Sequence, residues 1–176
     1  PFGQVRGLLA DLLHVGVESA ALVEVALGET AQHVVVGGGK EMLHAIEEES
    51  GRFAGRVGLL WIEDGPRRFP ADGPVDLEGI VGVLGRSGRF VETTPELAPL
   101  VRRLLGRTWI VETLAHALAL AEGPGAGVSF VTLAGELLDT DGTLVVGPRH
   151  VSAGLISRRS ELRSLKSQLA EIEGRI

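Results

Sequence analysis

The chain has 176 residues, of which 44% are hydrophobic and 4% aromatic, with no cysteine and a net charge of −6. This length suits one ordinary domain or two small lobes, and the hydrophobic share excludes general disorder. The lack of cysteine excludes disulfide scaffolds, cysteine-ligated zinc and thiol chemistry, and the acidic balance argues against a protein that is basic over its whole surface.

Membrane insertion is not expected from the sequence. The longest uncharged run, residues 123–135, has 13 residues and is interrupted by glycine and proline. A membrane-spanning helix needs about 20 apolar residues. No signal peptide is visible, so a soluble cytoplasmic protein is expected. Because the chain begins at Pro1 without a methionine, we expect it to be a piece of a longer protein.

An internal repeat relates residues 18–30 to residues 96–108 at a constant offset of 78, with seven of thirteen positions identical. Both segments have helical spacing and end near a glycine, Gly28 or Gly106, as helices that close with a left-handed residue do. We therefore expect both glycines to have positive φ and both segments to occupy equivalent places in two pseudo-symmetric lobes.

The elements around the repeat complete this two-lobed prediction. Lobe I is expected at about residues 1–85 and lobe II at about 86–150. Each repeat segment is followed by a β-branched strand and then by a helix, and Thr113 is the expected N-cap of the second helix. Trp61 and Trp109 fall in expected strands and are predicted to be core residues. The expected strands are 33–36, 57–62, 81–84, 109–111 and 129–133, the helices are 40–49 and 113–122, a hairpin covers 136–146 around Asp141-Gly142, and 63–74 forms a loop.

The last segment, residues 157–176, has a heptad-like pattern. Its apolar positions are Leu162, Leu165, Leu169, Ile172 and Ile176, at spacings of 3, 4, 3 and 4. This spacing is that of a coiled-coil seam, although it covers only about two heptads. An amphipathic helix packed on the domain is the alternative. Because the pattern continues to the last residue, we expect the helix to have been cut from a longer one.

The glycine run at residues 36–40 invites comparison with a phosphate-binding loop. A Walker A loop requires glycine and a hydroxyl residue where this chain has Val34 and Glu41. The run is therefore interpreted as a strand-to-helix turn. The alternative function is a small-molecule- or nucleotide-binding α/β domain that uses the loop Gly37–Lys40. No group of residues assembles a nucleophile, a base and an oxyanion site, so no catalytic, cofactor or metal site is predicted.

One basic cluster contrasts with the acidic total. Its members are Arg149, His150, Arg158, Arg159, Arg163 and Lys166, all within 18 residues. Arg159, Arg163 and Lys166 share one face of the expected helix because they are four and three positions apart. The cluster is either a solvated helix face or a contact for the phosphate backbone of DNA.

Taken together, these segments resemble the hinge domain of bacterial SMC (structural maintenance of chromosomes) proteins over nearly the whole chain. The similar segments are GLLADLL at 7–13, ALG at 26–28, QHVVV at 32–36, LVRRLLGRT at 100–108, VTLAGE at 131–136, DGTL at 141–144, and GLISRR at 154–159. The resemblance implies a mixed α+β, two-lobed hinge over residues 1–156 and the start of an outgoing coiled-coil arm over 157–176.

The resemblance also implies a function without catalysis in this segment. The family's hinge joins two coiled-coil arms and forms a homodimer through sheet edges, which places Gly135, Gly142, Val146 and Gly147 at the interface. The family usually has a Gly-Gly pair where this chain has Val146-Gly147. Weak, non-specific DNA binding is expected at Arg149, Arg158, Arg159, Arg163 and Lys166. ATP-binding heads, kleisin-type partners and association with the nucleoid are expected of the full-length protein.

Overall fold

The computed structural model describes residues 4–49, 51, 53–62, 75–147 and 154–174. The expected loop at 63–74 and Arg149, His150 and Ile176 lie outside these residues. In chain order the elements are β1 (Val5–Leu8), α1 (Leu9–Leu12), β2 (His14–Val15), α2 (Val17–Leu27), β3 (Val34–Val36), α3 (Gly39–Glu49), β4 (Leu59–Trp61), β5 (Val83–Arg86), β6 (Val91–Glu92), α4 (Ala98–Leu105), β7 (Thr108–Val111), α5 (Leu114–Ala121), β8 (Ser129–Thr132), β9 (Leu137–Leu138), β10 (Leu144–Val145) and α6 (Leu155–Glu173).

Two sheets define two lobes. The first has the strand order β1-β3-β4 and the second has the order β10-β9-β8-β7-β5. Each contains one parallel pair joined by a helix, β3-α3-β4 in the first and β7-α5-β8 in the second. Each also has an antiparallel neighbour, β1 beside β3 and β5 beside β7. Because β5 belongs to the second sheet, the lobe boundary expected at about residue 85 falls within a strand.

The structural repeat extends beyond the identical segments. β1 and β5 are related by the same offset of 78, and each has an irregularity in its pairing at a glycine. These glycines, Gly7 and Gly85, have φ values of +131° and +142°. Such angles are open to glycine and strained for other residues. The two glycines therefore make equivalent β-bulges in the two lobes.

The helix ends of the repeat are not equivalent. Gly28 follows α2 with a φ of +53°, as expected, whereas Gly106 follows α4 with a φ of −67°. The prediction of positive φ at Gly106 is therefore wrong. A 3₁₀ turn at Gly28–Gln32 separates α2 from β3, while β7 begins three residues after α4 ends. The Gly106 carbonyl oxygen accepts a hydrogen bond from Arg86 at 3.0 Å, whereas the equivalent residue in lobe I is Leu8, which has no side-chain donor.

The two lobes are joined by a two-stranded ribbon. β2 pairs antiparallel with β6, and His14 lies opposite Glu92, the residue 78 positions later. Repeat-equivalent residues that face each other in an antiparallel pair are what a pseudo-two-fold axis produces. The ribbon therefore lies on the axis that relates the lobes.

Helices of each half also pack across the junction. Leu22 of α2 is buried against Ile110 and Val131 of the second sheet. In the other direction, Arg103 of α4 donates a hydrogen bond to the carbonyl oxygen of Trp61 in β4. The lobes are therefore interlocked, although the buried cluster around Trp109 is made of residues 75–138 alone.

The centre of lobe II is formed around Trp109. This side chain is fully buried, as predicted, with Phe130 and Leu77 in the same cluster. The Arg86 guanidinium lies 4.7 Å from the Trp109 ring centroid, within the range of a cation–π contact. Arg86 also donates to the carbonyl oxygen of Gly106 at 3.0 Å, which fixes the loop before β7. Trp61, in lobe I, is only partly buried.

Candidate functional site

One edge strand of the second sheet is β10, the outer strand of the hairpin predicted around Asp141-Gly142, and the other is β5. Its pairing with β9 matches Leu144 to Leu138 and Val145 to Leu137. Leu144, Val145 and Val146 are 41%, 54% and 61% exposed. Exposed apolar side chains on an unpaired strand edge are a template for pairing with another strand. The described structure contains no further strand beside this edge.

Hydrogen bonds fix the turn between β9 and β10. The Asp139 amide donates to the carbonyl oxygen of Thr143 at 2.9 Å, and the Gly142 amide donates to the carbonyl oxygen of Asp139 at 3.0 Å. The Thr143 amide donates to Oδ1 of Asp141 at 2.8 Å. This backbone bond, and secondly the bond to the Thr143 side chain, lowers the pKa of the Asp141 carboxyl below its ordinary 3.8. The turn is also tied to β8, because the Ser129 hydroxyl donates to Oδ1 of Asp139 at 2.8 Å.

The four residues expected at the interface lie at or near this hairpin. Gly142 is in its turn, and Val146 and Gly147 follow β10. Gly135 lies in the preceding turn, where its amide donates to the carbonyl oxygen of Thr132 at 2.8 Å. The glycines have φ values of +85° for Gly135 and Gly142 and +145° for Gly147, which explains them as backbone requirements of the hairpin.

A second candidate surface is α6, which begins against the lobes and then extends away from them. Ile156, Ser157 and Ser160 are buried, whereas every described residue from 165 to 174 is exposed. The serine and isoleucine face of the helix is turned toward α2 and β2. The predicted seam lies on the opposite face, where Leu165, Leu169 and Ile172 are 62%, 56% and 60% exposed. The helix predicted at the end of the chain is thus present, and no described segment packs on its apolar seam.

Several side-chain bonds hold the root of α6, residues 155–163, on lobe I elements. The Glu24 carboxylate accepts hydrogen bonds from the Ile156 and Ser157 amides at 3.3 and 3.5 Å and from the Ser157 hydroxyl at 2.9 Å. Further along, the Ser160 hydroxyl donates to the carbonyl oxygen of Val15 at 2.8 Å. The helix is therefore attached by polar contacts as well as by the buried Ile156.

The predicted DNA-contacting residues have different environments. Arg159 forms an ion pair with Asp11 at 2.8 Å, in which its side chain is 48% exposed. Arg163 is partly buried and donates to the carbonyl oxygen of Leu13 at 2.7 Å. Arg158 and Lys166 are exposed on α6. Two of these residues therefore contribute to the attachment of α6, and Arg149 lies outside the described residues.

The glycine run in lobe I packs closely against Gln4. The Gly37 amide donates to the carbonyl oxygen of Gln4 at 2.9 Å. A Cβ at Gly38, which has a φ of +88°, would lie 2.8 Å from the carboxamide carbon of Gln4. The Gln4 side chain lies against the loop at this point. The closeness of Gln4 therefore explains why Gly37 and Gly38 have no side chains. The run connects β3 to α3, in line with its interpretation as a strand-to-helix turn.

Metal and membrane features are absent from the described part of the chain. Within residues 4–49, 51, 53–62, 75–147 and 154–174, no three His, Asp or Glu side chains are grouped as ligands for a metal ion. In the same residues, no helix combines the length and the apolar character needed to cross a bilayer.

Sequence reasoning missed Glu24 and Gly154, which meet at the root of α6. The signal for Glu24 was a single carboxylate inside an apolar helical run, Leu22-Val23-Glu24-Val25-Ala26. A charged residue in such a run usually has a specific partner when it is partly buried. The partner is more than 130 positions away, so no local pattern identifies it.

Comparison with known proteins gives consistent matches. A family model described as "SMC proteins Flexible Hinge Domain" matches residues 2–121. The Chromosome partition protein Smc of Rhodopirellula baltica is 44% identical over 163 residues, which are 93% of this chain and 14% of that protein. The chain thus spans a small part of this relative.

Solved hinge structures have a similar fold. The hinge domain of Geobacillus stearothermophilus SMC, described as an asymmetric dimer, matches with a TM-score of 0.82 at 24% identity, covering 98% of this chain and 70% of that one. The Pyrococcus furiosus SMC hinge domain matches with a TM-score of 0.64 at 29% identity, covering 84% of this chain and 74% of that one.

Proposed function

The chain belongs to the family of SMC flexible hinge domains, and from this premise we propose that it joins two copies of an SMC protein by self-association through the β10 edge. The observation that carries the proposal is the exposed apolar strand β10 at the end of the second sheet. Pairing of this edge would cover unpaired backbone groups and the side chains of Leu144 and Val146 together. In this arrangement α6 is the start of one coiled-coil arm, and its exposed seam packs against a second arm helix.

The register of the hairpin indicates which backbone groups a partner would use. The Asp139 amide donates to the carbonyl oxygen of Thr143, so the main-chain groups of Thr143 face β9. Along an antiparallel strand the main-chain groups of alternate residues face the same neighbour. The main-chain N–H and C=O of Val145 therefore face β9, and those of Leu144 and Val146 face the open edge. Removal of the Val146 N–H should therefore weaken pairing at the open edge without breaking a hydrogen bond between β9 and β10.

The test is the mass of the chain in solution, measured by sedimentation velocity at concentrations of tens of micromolar. We expect a dimer, and we expect Val146→Pro to raise the dimer dissociation constant at least about tenfold, because proline has no N–H to donate at the edge. Val146→Thr, which keeps both the N–H and a β-branched side chain, is the matched control and should dimerise normally. A monomeric unmutated chain under these conditions would contradict the proposal.

DNA contact is a second proposed activity, and it is supported by the face shared by Arg159 and Lys166. These residues are seven positions apart on α6, Lys166 is exposed, and the ion pair of Arg159 leaves about half of its side chain accessible. Exposed cations on one helix face can act locally in an acidic protein, because screening limits distant charges to about 8–10 Å at physiological salt. The expected binding is weak and independent of sequence, since nothing here reads base edges.

Fluorescence anisotropy with a DNA duplex at several salt concentrations tests this activity. Contact with about four phosphates per protomer predicts a log–log salt slope of about −3 to −4. The double variant Arg159→Glu with Lys166→Glu removes both cations of this face, leaves the contact of Arg163 in place, and should reduce the slope by about 2. Arg56→Glu with Arg102→Glu makes the same change in net charge at exposed positions in the lobes and is the control. If both double variants bind DNA equally well, the basic face is only a solvated helix surface and the proposed DNA contact is wrong.

We propose that the other functions expected of an SMC protein are carried by parts of a longer protein. Since the chain covers 14% of its Rhodopirellula relative, we place ATP hydrolysis, kleisin-type partners and nucleoid association in segments outside this chain. The hinge then contributes self-association and DNA contact to chromosome partition.

A further inference from the structure

The start of α6 is capped from another part of the molecule. Gly154, the N-cap residue, has no side chain to accept the free amides of the first turn. The Glu24 carboxylate of α2 takes this place by accepting from the Ile156 and Ser157 amides and the Ser157 hydroxyl. A carboxylate at a helix N-terminus is also favoured by the helix dipole. The cap therefore joins α6 to α2 rather than stabilising α6 alone.

The position of Glu24 depends on the glycine at 154. A Cβ built on Gly154 would lie 1.6 Å from Oε2 and 2.0 Å from the carboxyl carbon of Glu24. Its φ of −72° and ψ of +142° are ordinary extended values, so backbone conformation does not require glycine here. Gly154 is thus explained by the approach of the Glu24 carboxylate.

The root of α6 also completes the ribbon that joins the lobes. β2 is paired with β6 along one edge, and its other edge would be left with carbonyl oxygens that lack donors. The Ser160 hydroxyl donates to Val15 at 2.8 Å and Arg163 donates to Leu13 at 2.7 Å. Two side chains of α6 thereby take the place of a third strand. A two-stranded ribbon has little stability of its own, so these bonds matter for the junction.

We propose that Glu24 is a positioning residue that, together with the β2 edge, fixes the direction of α6, so that α6 and the inter-lobe junction move as one body. Glu24 is suited to this because α2 is itself buried against the second sheet through Leu22. The carboxylate therefore connects α6 to both lobes. The functional consequence rests on the proposed role of α6 as the start of an arm, because a fixed helix would transmit changes in arm direction to the lobes.

A pair of spin labels can measure the direction of α6 in the whole chain. The absence of cysteine allows labels at chosen sites, and Gln168→Cys on α6 with Glu122→Cys in lobe II reports the direction of the helix by pulsed EPR. Labelled chain is diluted with unlabelled chain so that only distances within one chain contribute. Glu41→Cys with Glu122→Cys reports the arrangement of the two lobes. All three positions are exposed.

Glu24→Ala should widen the Gln168–Glu122 distance distribution by about twofold or more, because an untethered helix end samples motions of several ångströms. The Glu41–Glu122 distance should stay unchanged, which shows that the lobes remain folded. Glu29→Ala removes an exposed carboxylate after the same helix and should leave both distances unchanged. Gly154→Ala should also widen the distribution, since it displaces the carboxylate while Glu24 is retained, and this variant serves if Glu24→Ala fails to fold.

A rescue variant separates positioning from simple capping. In the Glu24→Ala background, Gly154→Asp supplies a local N-cap oxygen for the first turn of α6. It should restore the hydrogen-exchange protection of the Ser157 amide while the distance distribution stays wide. A narrow distribution in this double variant, or an unchanged distribution in Glu24→Ala, would overturn the proposal. Dimer mass measured on the same samples distinguishes this failure from a failure of the self-association proposal.

Discussion

Arg159 and Arg163 illustrate how single side chains serve the attachment of α6. Arg163 is partly buried on a backbone carbonyl, so its loss would leave an acceptor without a donor, at a cost of about 1–3 kcal/mol. Arg159 is in an exposed ion pair with Asp11, and such pairs contribute about 0–1 kcal/mol. Arg159 can therefore be shared with an external phosphate at small cost to the fold, whereas Arg163 cannot.

Asp141 gives a pH prediction at the scale of one residue. Its pKa is lowered in the folded hairpin by the Thr143 amide, so the turn is stabilised by the ionised carboxylate. This contribution is complete above the ordinary pKa of 3.8 and is lost as the pH falls through the lower folded value. NMR titration of the Asp141 carboxyl carbon should have its midpoint below 3.8, accompanied by faster exchange of the Thr143 amide at the acidic end. A midpoint at or above the ordinary value would contradict the described turn.

The bulges of β1 and β5 act at the scale of an element. A bulge makes a strand bend and twist more strongly, and here the same bend is made in both lobes by a glycine with positive φ. After the bend each strand leads into a short helical segment, α1 in lobe I and Ser87–Phe90 in lobe II. The bulges thus direct both halves of the chain toward the ribbon at the pseudo-two-fold axis.

Substitution of either bulge glycine should destabilise the protein by similar amounts. No atom outside the neighbouring residues would lie within 4 Å of a Cβ at Gly7, and only ordinary contacts would meet one at Gly85, so the cost is backbone strain. We expect Gly7→Ala and Gly85→Ala to reduce the free energy of unfolding by about 1–3 kcal/mol each in urea titrations. Gly55→Ala, at an open position without a strained φ, should change it by less than about 0.5 kcal/mol. Losses that differ widely between Gly7→Ala and Gly85→Ala would argue against equivalent bulges.

At the scale of the whole molecule, we expect the two lobes to unfold as one cooperative unit. The largest buried cluster contains Leu9 and Val23 from lobe I together with Leu100 and Leu105 from α4. α2 is buried against the second sheet, and the ribbon connects the halves along their axis. Separation of the lobes would expose this shared surface, which costs about 25 cal/mol for each Å² of apolar area. Independent unfolding of one lobe is therefore unfavourable.

Leu22→Ala tests this cooperativity because Leu22 belongs to α2 and packs on lobe II. We expect a loss of about 2–4 kcal/mol in the free energy of unfolding, in line with other buried leucines. Trp109 fluorescence in a Trp61→Phe background reports lobe II, and far-UV circular dichroism reports the whole chain. Their midpoints should coincide before and after the substitution. Two separate transitions would indicate lobes that fold independently.

The sequence alone determined the features that depend on neighbouring residues. The repeat at an offset of 78 predicted two related lobes, and the turn residues Asp141-Gly142 predicted the hairpin. Thr113 was found as the N-cap of α5, and the apolar seam predicted α6. These features follow from periodicity, turn chemistry and capping, which act over a few residues. The repeat adds a comparison within the chain, so local patterns that are weak alone support each other.

Only the tertiary structure decided the features that depend on residues far apart in the chain. The very short strands β2 and β6 are strands because they pair with each other, and Glu24 has its role because α6 starts beside it. In both cases the deciding energy is a hydrogen bond or a close approach between segments about 78 to 133 positions apart. Local propensity contains no information about such contacts, because they exist only once the hydrophobic surfaces of both lobes have been brought together.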